Sequence, residues 1–268
     1  PKAKRSDRPL IEHIIEAAKV TVFFIDDLQV VRPDEVGRVA LIEETVQRMG
    51  VNLYEFELET QFRCNGSDGF VKWVDNTLGL RPTANECWDI NDPFEFKIFN
   101  DVRELERAIR DKQTNTDTAR LVAGFCWKWS APDAEGNLIG DVAIGDWAMP
   151  WNAKSDAGRL AAGIPRSHFW ASDPKGINQV GCIYTAQNFE FDYVGVIFGL
   201  DLRYDTTSRK WVADKNQSFD SVVTKAEEDH YLALVKNAYR VLLTRGLKGC
   251  YVYFLDPATR DYFESRLC

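Results

Sequence analysis

A mostly parallel α/β fold is predicted for this 268-residue chain from three observations. Short apolar, strand-like runs alternate with amphipathic helical stretches over most of the length. One of these runs, Val20 to Ile25, ends in two aspartates, as a strand does where an open parallel sheet meets a ligand crevice. Apolar side chains make up 45% of the sequence, enough for one large core or two modest ones, and neither an internal repeat nor a low-complexity tract suggests another architecture.

The elements follow in order. Leu10, Ile14, Ile15 and Ala18 stand at helical spacing within Arg8 to Lys19 and lead into the apolar run Val20 to Ile25, a buried strand that ends at Asp26 and Asp27. A helix fits Asp34 to Met49, an alternating strand Val51 to Leu58, and an amphipathic helix Asp68 to Leu78. Leu80 to Pro93, with two prolines and several Asn and Asp residues, reads as a connection. The alternation then restarts with a strand at Phe94 to Phe99. A helix begins near Asp101, where Glu104 lies three residues on and Val102, Leu105 and Ile109 share a face. Leu121 to Trp127 is strand-like. Ala131 to Lys175, rich in Gly, Pro, Asp and Trp, reads as surface excursions. Strands at Val180 to Tyr184 and Tyr193 to Phe198, a helix from Tyr231 to Leu243 and a strand from Gly249 to Leu255 complete a second α/β unit. The organisation expected is therefore residues 1–80 as one partial unit, 81–93 as a connection and 94–268 as one complete unit.

Composition excludes several classes. No apolar run reaches the eighteen residues of a membrane span and the opening PKAKRSDRP is no signal peptide, so a cytoplasmic protein without membrane association is expected. The six cysteines form no CxxC pair and the three histidines are scattered, which argues against zinc and for reduced thiols. A formal charge of −8 argues against wrapping nucleic acid on a global basic surface, while leaving room for a narrow channel that grips one strand. GxSxG and GxGxxG do not occur, and His168 and His230 have no evident catalytic partners.

Four segments carry possible chemistry. Phe23-Phe-Ile-Asp-Asp-Leu-Gln29 places Asp26 and Gln29 at a strand's carboxyl end, where a carboxylate holds a metal-bound water and a carboxamide donates to phosphate or orients a water. Taken alone, the segment is better explained as an ordinary strand running into a polar loop. Arg63, in Leu58-Glu-Thr-Gln-Phe-Arg63, suits a phosphate through its planar fork, or simply pairs with a carboxylate such as Glu59. A polar turn in Ile183-Tyr-Thr-Ala-Gln-Asn-Phe-Glu-Phe-Asp-Tyr-Val-Gly-Val-Ile197 joins two apolar strands. Last comes Asn237-Ala-Tyr-Arg-Val-Leu-Leu-Thr-Arg-Gly246. Leu232, Val235, Tyr239 and Leu242 form its core stripe, Arg245 is left to point elsewhere or to interact with the helix dipole, and Gly246 acts as a helix stop. Tryptophans 127, 129, 147, 151 and 170 cluster in the irregular region, where packing onto the sheet is the plainer explanation and base stacking the functional one.

Taken in order, DxxQ, QFR, TxQxxEFDYVGVI and YRVLLTRG resemble motifs three to six of superfamily one helicases, and most closely the helicase domain of Schlafen proteins and their bacterial relatives. The resemblance runs from about residue 8 to the C-terminus. It implies RecA-like (P-loop NTPase type) parallel sheets flanked by helices, with the chain as the C-terminal part of an ATP-dependent DNA/RNA helicase or nucleic-acid-stimulated NTPase. By that resemblance Gln29, Arg63 and Arg245 are catalytic, Asp26 and Glu190 bind nucleotide, and Thr185 and Gln187 lie near a bound single strand of DNA or RNA. ATP and Mg²⁺ are expected for the intact protein and none for these residues alone, because GxxxxGK[ST] is absent and Asp26-Asp27 fits motif three better than the acidic DE motif. The family commonly has Gly at the position of Asn188 and often His at that of Tyr184; Asn tolerates the left-handed backbone a glycine would supply. The alternative is a non-catalytic RecA-like module that binds nucleic acid or a protein partner.

Overall fold

The computed structural model describes residues 8–35, 37–56, 64, 68–114 and 116–268. Three helices come first: α1 (Leu10–Glu16), α2 (Val39–Met49) and α3 (Asp68–Thr77). After them run β1 (Glu95–Phe99), α4 (Val102–Lys112), β2 (Ala119–Ala123), a hairpin of β3 (Val142–Ile144) and β4 (Trp147–Met149), and β5 (Val180–Gly181). The chain continues through α5 (Ile183–Ala186), β6 (Phe191–Phe198), a second hairpin of β7 (Leu202–Asp205) and β8 (Lys210–Ala213), α6 (Glu228–Leu243), β9 (Gly246–Phe254) and α7 (Pro257–Glu264).

The predicted α/β class holds. The sheet order is β1-β9-β6-β2-β5, every neighbouring pair is parallel, and helices flank both faces, which is the RecA-like arrangement. The period of two along each strand divides the core between those faces. Val194, Val196 and Phe198 of β6 and Cys250, Val252 and Phe254 of β9 join the cluster that takes in α3 and α6. Tyr193 and Ile197, with Tyr251 of β9, pack with Val102, Leu105 and Ile109 of α4 on the other face. Phe70, Trp73 and Val74 of α3 sit in the same cluster as Tyr239 and Leu242 of α6, so helices far apart in sequence share one core. The Asp101 side chain caps α4 by accepting from the Arg103 backbone N–H.

Several expectations are corrected. The runs Val20 to Ile25 and Val51 to Phe56 join no ladder among the described residues, and Phe24 and Phe56 are 82% and 89% exposed. Apolar alternation makes a segment ready for a sheet, but only a neighbouring strand supplies the backbone hydrogen bonds. Residues 57 and 58 of the second predicted strand lie outside the described residues. The strand expected to reach Tyr184 stops at Gly181 and turns into α5. Gly246 does not cap α6, which ends at Leu243 with Thr244 as C-cap, but opens β9. A Cβ there would stand 2.2 Å from the Gly249 carbonyl oxygen, so the glycine serves close backbone approach. Asn188 needs no left-handed backbone: among the described residues, only Cys64 and Arg209 have positive φ without being glycine. The thiols are not all reduced, since Cys87 and Cys268 form a disulfide across a Cα–Cα distance of 5.9 Å. Backbone bonds between Trp88 and both Arg266 and Cys268 run beside it.

At the start of β1, Glu95 accepts from Lys112 at 2.8 Å, Tyr251 at 2.6 Å and Lys97 at 3.0 Å. Partial burial would raise its pKa, but these donors win and hold it at about 2, against an ordinary 4.5. A depressed carboxylate stabilises the fold fully above the ordinary value, and that contribution is lost as pH falls through the folded-state value. Glu95→Gln is therefore expected to unfold at lower urea than the native chain at pH 6. The gap between the two midpoints should close between about pH 4.5 and pH 2 in a titration of urea melts.

Candidate functional site

The site is built where the segment carrying Asp26 and Gln29 lies against α5 and α6. Asp26 begins a single 3₁₀ turn, Asp27–Gln29, and caps it: one carboxylate oxygen accepts from the Leu28 N–H at 3.0 Å, and the other accepts from the Gln29 amide at 3.0 Å. The segment is then fastened to α6 through Asn237, whose amide donates to the Val30 carbonyl at 2.9 Å. Arg240, one helical turn on and almost fully buried, donates through Nε to Asp75 of α3 at 2.5 Å and through a terminal nitrogen to Asp26 at 3.4 Å. Arg81 donates to the other oxygen of Asp75 at 2.8 Å. Burial alone would raise the pKa of Asp26, but the Gln29 amide and the Arg240 charge outweigh it and hold this carboxyl below its ordinary value.

The polar turn between β5 and β6 meets the same segment from α5. The Gln187 amide donates to the Gln29 backbone carbonyl at 3.3 Å. Arg245 is 2% exposed and points back across this turn, donating to the carbonyls of Gln187 at 2.8 Å and Val241 at 3.1 Å. The structure thus brings Asp26, Gln29, Gln187 and Arg245 into one hydrogen-bonded network. Thr185 is half-buried in α5, with its hydroxyl 3.5 Å from the Cys182 sulfur, and Glu190 is exposed just before β6. Arg63 lies outside the described residues.

Several participants were not singled out from sequence. Arg240 and Asn237 stand inside the segment that drew attention to Arg245, but their partners lie more than 150 residues away. Tyr184 donates from its hydroxyl to Asp220, and the Arg32 guanidinium lies 3.8 Å over its ring. Beneath it a cavity of about 30 Å³, room for a water, is lined in part by Asp201, Ser218 and Asp220. The five tryptophans pack inward: the indoles of Trp127, Trp129, Trp147, Trp151 and Trp170 each donate to an acceptor within the protein.

Chemically, this arrangement offers two kinds of hydrogen-bond donor. A carboxamide and a guanidinium, both donors to anionic oxygen, stand on adjoining segments, with an exposed carboxylate in the turn between α5 and β6. The groups that grip a triphosphate are another matter: the sequence has no Gly-rich phosphate loop, and among the described residues no cluster of three His, Cys, Asp or Glu could hold a metal ion.

Fold and site together define a helicase-type module of RecA-like architecture. The chain belongs to the Schlafen group 3 DNA/RNA helicase domain family, whose sequence profile matches residues 1–256. It is also similar to an uncharacterized protein of Saccharomyces cerevisiae (strain ATCC 204508 / S288c), YPL245W. The two are 26% identical over 235 residues, which cover 77% of this chain and 47% of the yeast protein. The chain therefore spans about half the length of that curated relative. No helix among the described residues is long and apolar enough to cross a membrane.

Proposed function

We propose that this chain is the part of an ATP-hydrolysing, nucleic-acid-stimulated helicase that completes the nucleotide site from its second domain. Residues 1–80 contribute the end of a first RecA-like domain, 81–93 connect, and 94–268 form the second. Gln29 senses the terminal phosphate, and Arg245, with Arg63, stabilises charge on the transferring phosphoryl group. Asp26 and Glu190 contact the nucleotide, and Thr185 and Gln187 lie along a single strand of DNA or RNA. ATP and Mg²⁺ act in the intact protein, with the phosphate cradle coming from outside these 268 residues.

The observation that carries this reading is the hydrogen-bonded network itself. Four side chains converge from three segments, the first more than 150 residues from the other two, and each stands in a helicase-like motif. A packing role alone has no reason to choose them.

The test is ATP hydrolysis by the full-length protein that contains this domain, measured with and without single-stranded DNA or RNA. Turnover that rises with nucleic acid is expected, with none from the 268-residue chain alone. A folded full-length protein that turns over no ATP under either condition would overturn the reading in favour of a non-catalytic nucleic-acid or protein-binding module.

A further inference from the structure

We infer that Arg240 is a positioning residue: it closes a ring of contacts that sets the orientation of the Gln29 carboxamide and ties it to the turn carrying Gln187. The inference rests on the function proposed above and assigns a role to a side chain outside the resemblance-based set.

The ring can be followed bond by bond. Arg240 and Gln29 share a single acceptor, the Oδ2 oxygen of Asp26, at 3.4 and 3.0 Å. The Gln29 carbonyl accepts from Gln187, the Gln187 carbonyl accepts from Arg245, and five residues of chain lead from Arg245 back to Arg240. A carboxylate only accepts, so the group of Gln29 that faces Asp26 is its NH₂. The amide oxygen is the end left for other partners, and it suits a water. For Gln29 to donate to a phosphate instead, its NH₂ must leave Asp26.

The two contacts of Arg240 are unequal, and that inequality gives the ring its action. On one side it meets Asp75, which is fully buried, at 2.5 Å; on the other it meets Asp26, about one-third exposed, at 3.4 Å. The first is a fixed anchor and the second a long contact at the solvent edge, worth little in stability and easily lengthened or tightened. A shift of the Gln187 turn when a strand binds would reach Gln29 through its backbone carbonyl, while Arg240, anchored on Asp75, gives Asp26 a yielding charged partner as the amide turns. Lysine is a poor replacement, because a single ammonium nitrogen cannot place donors at both the Nε and the terminal-nitrogen positions of the guanidinium fork that reach Asp75 and Asp26.

Arg240→Lys in the full-length protein, assayed with saturating single-stranded nucleic acid, is expected to lose about tenfold or more in kcat while its KM for ATP stays within about threefold. Asp26→Asn keeps the buried Arg240–Asp75 pair and covers the case in which the first variant folds poorly. It is expected to lower kcat likewise, and the double variant to be no worse than the poorer single one. Amide hydrogen exchange at residues 28–30 should accelerate in both variants, whereas exchange in β6 and β9 stays as in the native protein. Unchanged kcat in both variants, or kcat losses that add, would overturn the role. A native protein without turnover would remove the function and this role together, and that control is read before any variant is compared.

Discussion

Replacing Arg245 by alanine in the full-length protein is expected to lower single-turnover ATP hydrolysis by about 10³- to 10⁵-fold, the range measured for arginines that stabilise a transferring phosphoryl group. The guanidinium is 2% exposed and held by the carbonyls of Gln187 and Val241, so the protein orders it without any ligand. Such preorganisation makes a charged donor effective, since no reorganisation is needed as charge develops. The same contacts give the variant a structural cost, because the turn carbonyl it serves loses a charged donor. Arg245→Lys separates the two effects. It keeps the charge but loses the fork, and is expected to recover most of the melting temperature while recovering less than about a tenth of the rate. A lysine variant with native turnover would remove Arg245 from the chemistry.

Asp75→Ala is expected to have the largest effect on stability, about 3 to 5 kcal/mol. The carboxylate is fully buried in α3 and shared by two guanidiniums, and its removal leaves the buried Arg240 with the long contact to Asp26 and beside the like charge of Arg81. For a domain of this size the loss corresponds to roughly 10 °C in Tm, measurable by calorimetry. The combined variant Asp75→Ala, Arg240→Met should recover part of that loss, because an unpaired buried charge costs more than an absent pair. If the double variant melts below the single one, the charge pair is not what holds α3 to α6.

What was legible in the sequence is what short-range physics dictates. Asp101 and Glu104 bracket the start of a helix, and the structure has that helix and its cap. Alternating apolar runs announced β1, β6 and β9 to within three residues at their ends. The polar turn before β6 and the end of α6 stood out because apolar strands and core stripes flank them. Long-range pairing was not legible. Arg240 looked like any other polar residue of its helix, because its partners Asp26 and Asp75 are 214 and 165 residues away. The Cys87–Cys268 pair, 181 residues apart, carries no local signature either. Gly246 was read as a helix stop since its neighbours resemble a C-cap, whereas its necessity lies in the close approach of the Gly249 carbonyl three residues on. The runs at 20–25 and 51–56 show the converse failure, strand-like in pattern yet without a strand beside them among the described residues.

Those two runs also govern how the 268-residue polypeptide behaves in a test tube. Val20, Val22, Phe24, Tyr54 and Phe56 are each at least two-thirds exposed, and their backbones join no ladder among the described residues. Unladdered backbone beside bare aromatic and branched side chains is adhesive, since any second extended chain satisfies both at once. A net charge of −8 opposes that attraction at low ionic strength and is screened as salt is added. The polypeptide is therefore expected to stay dispersed when dilute and low in salt and to self-associate as protein or salt concentration rises, which light scattering would read.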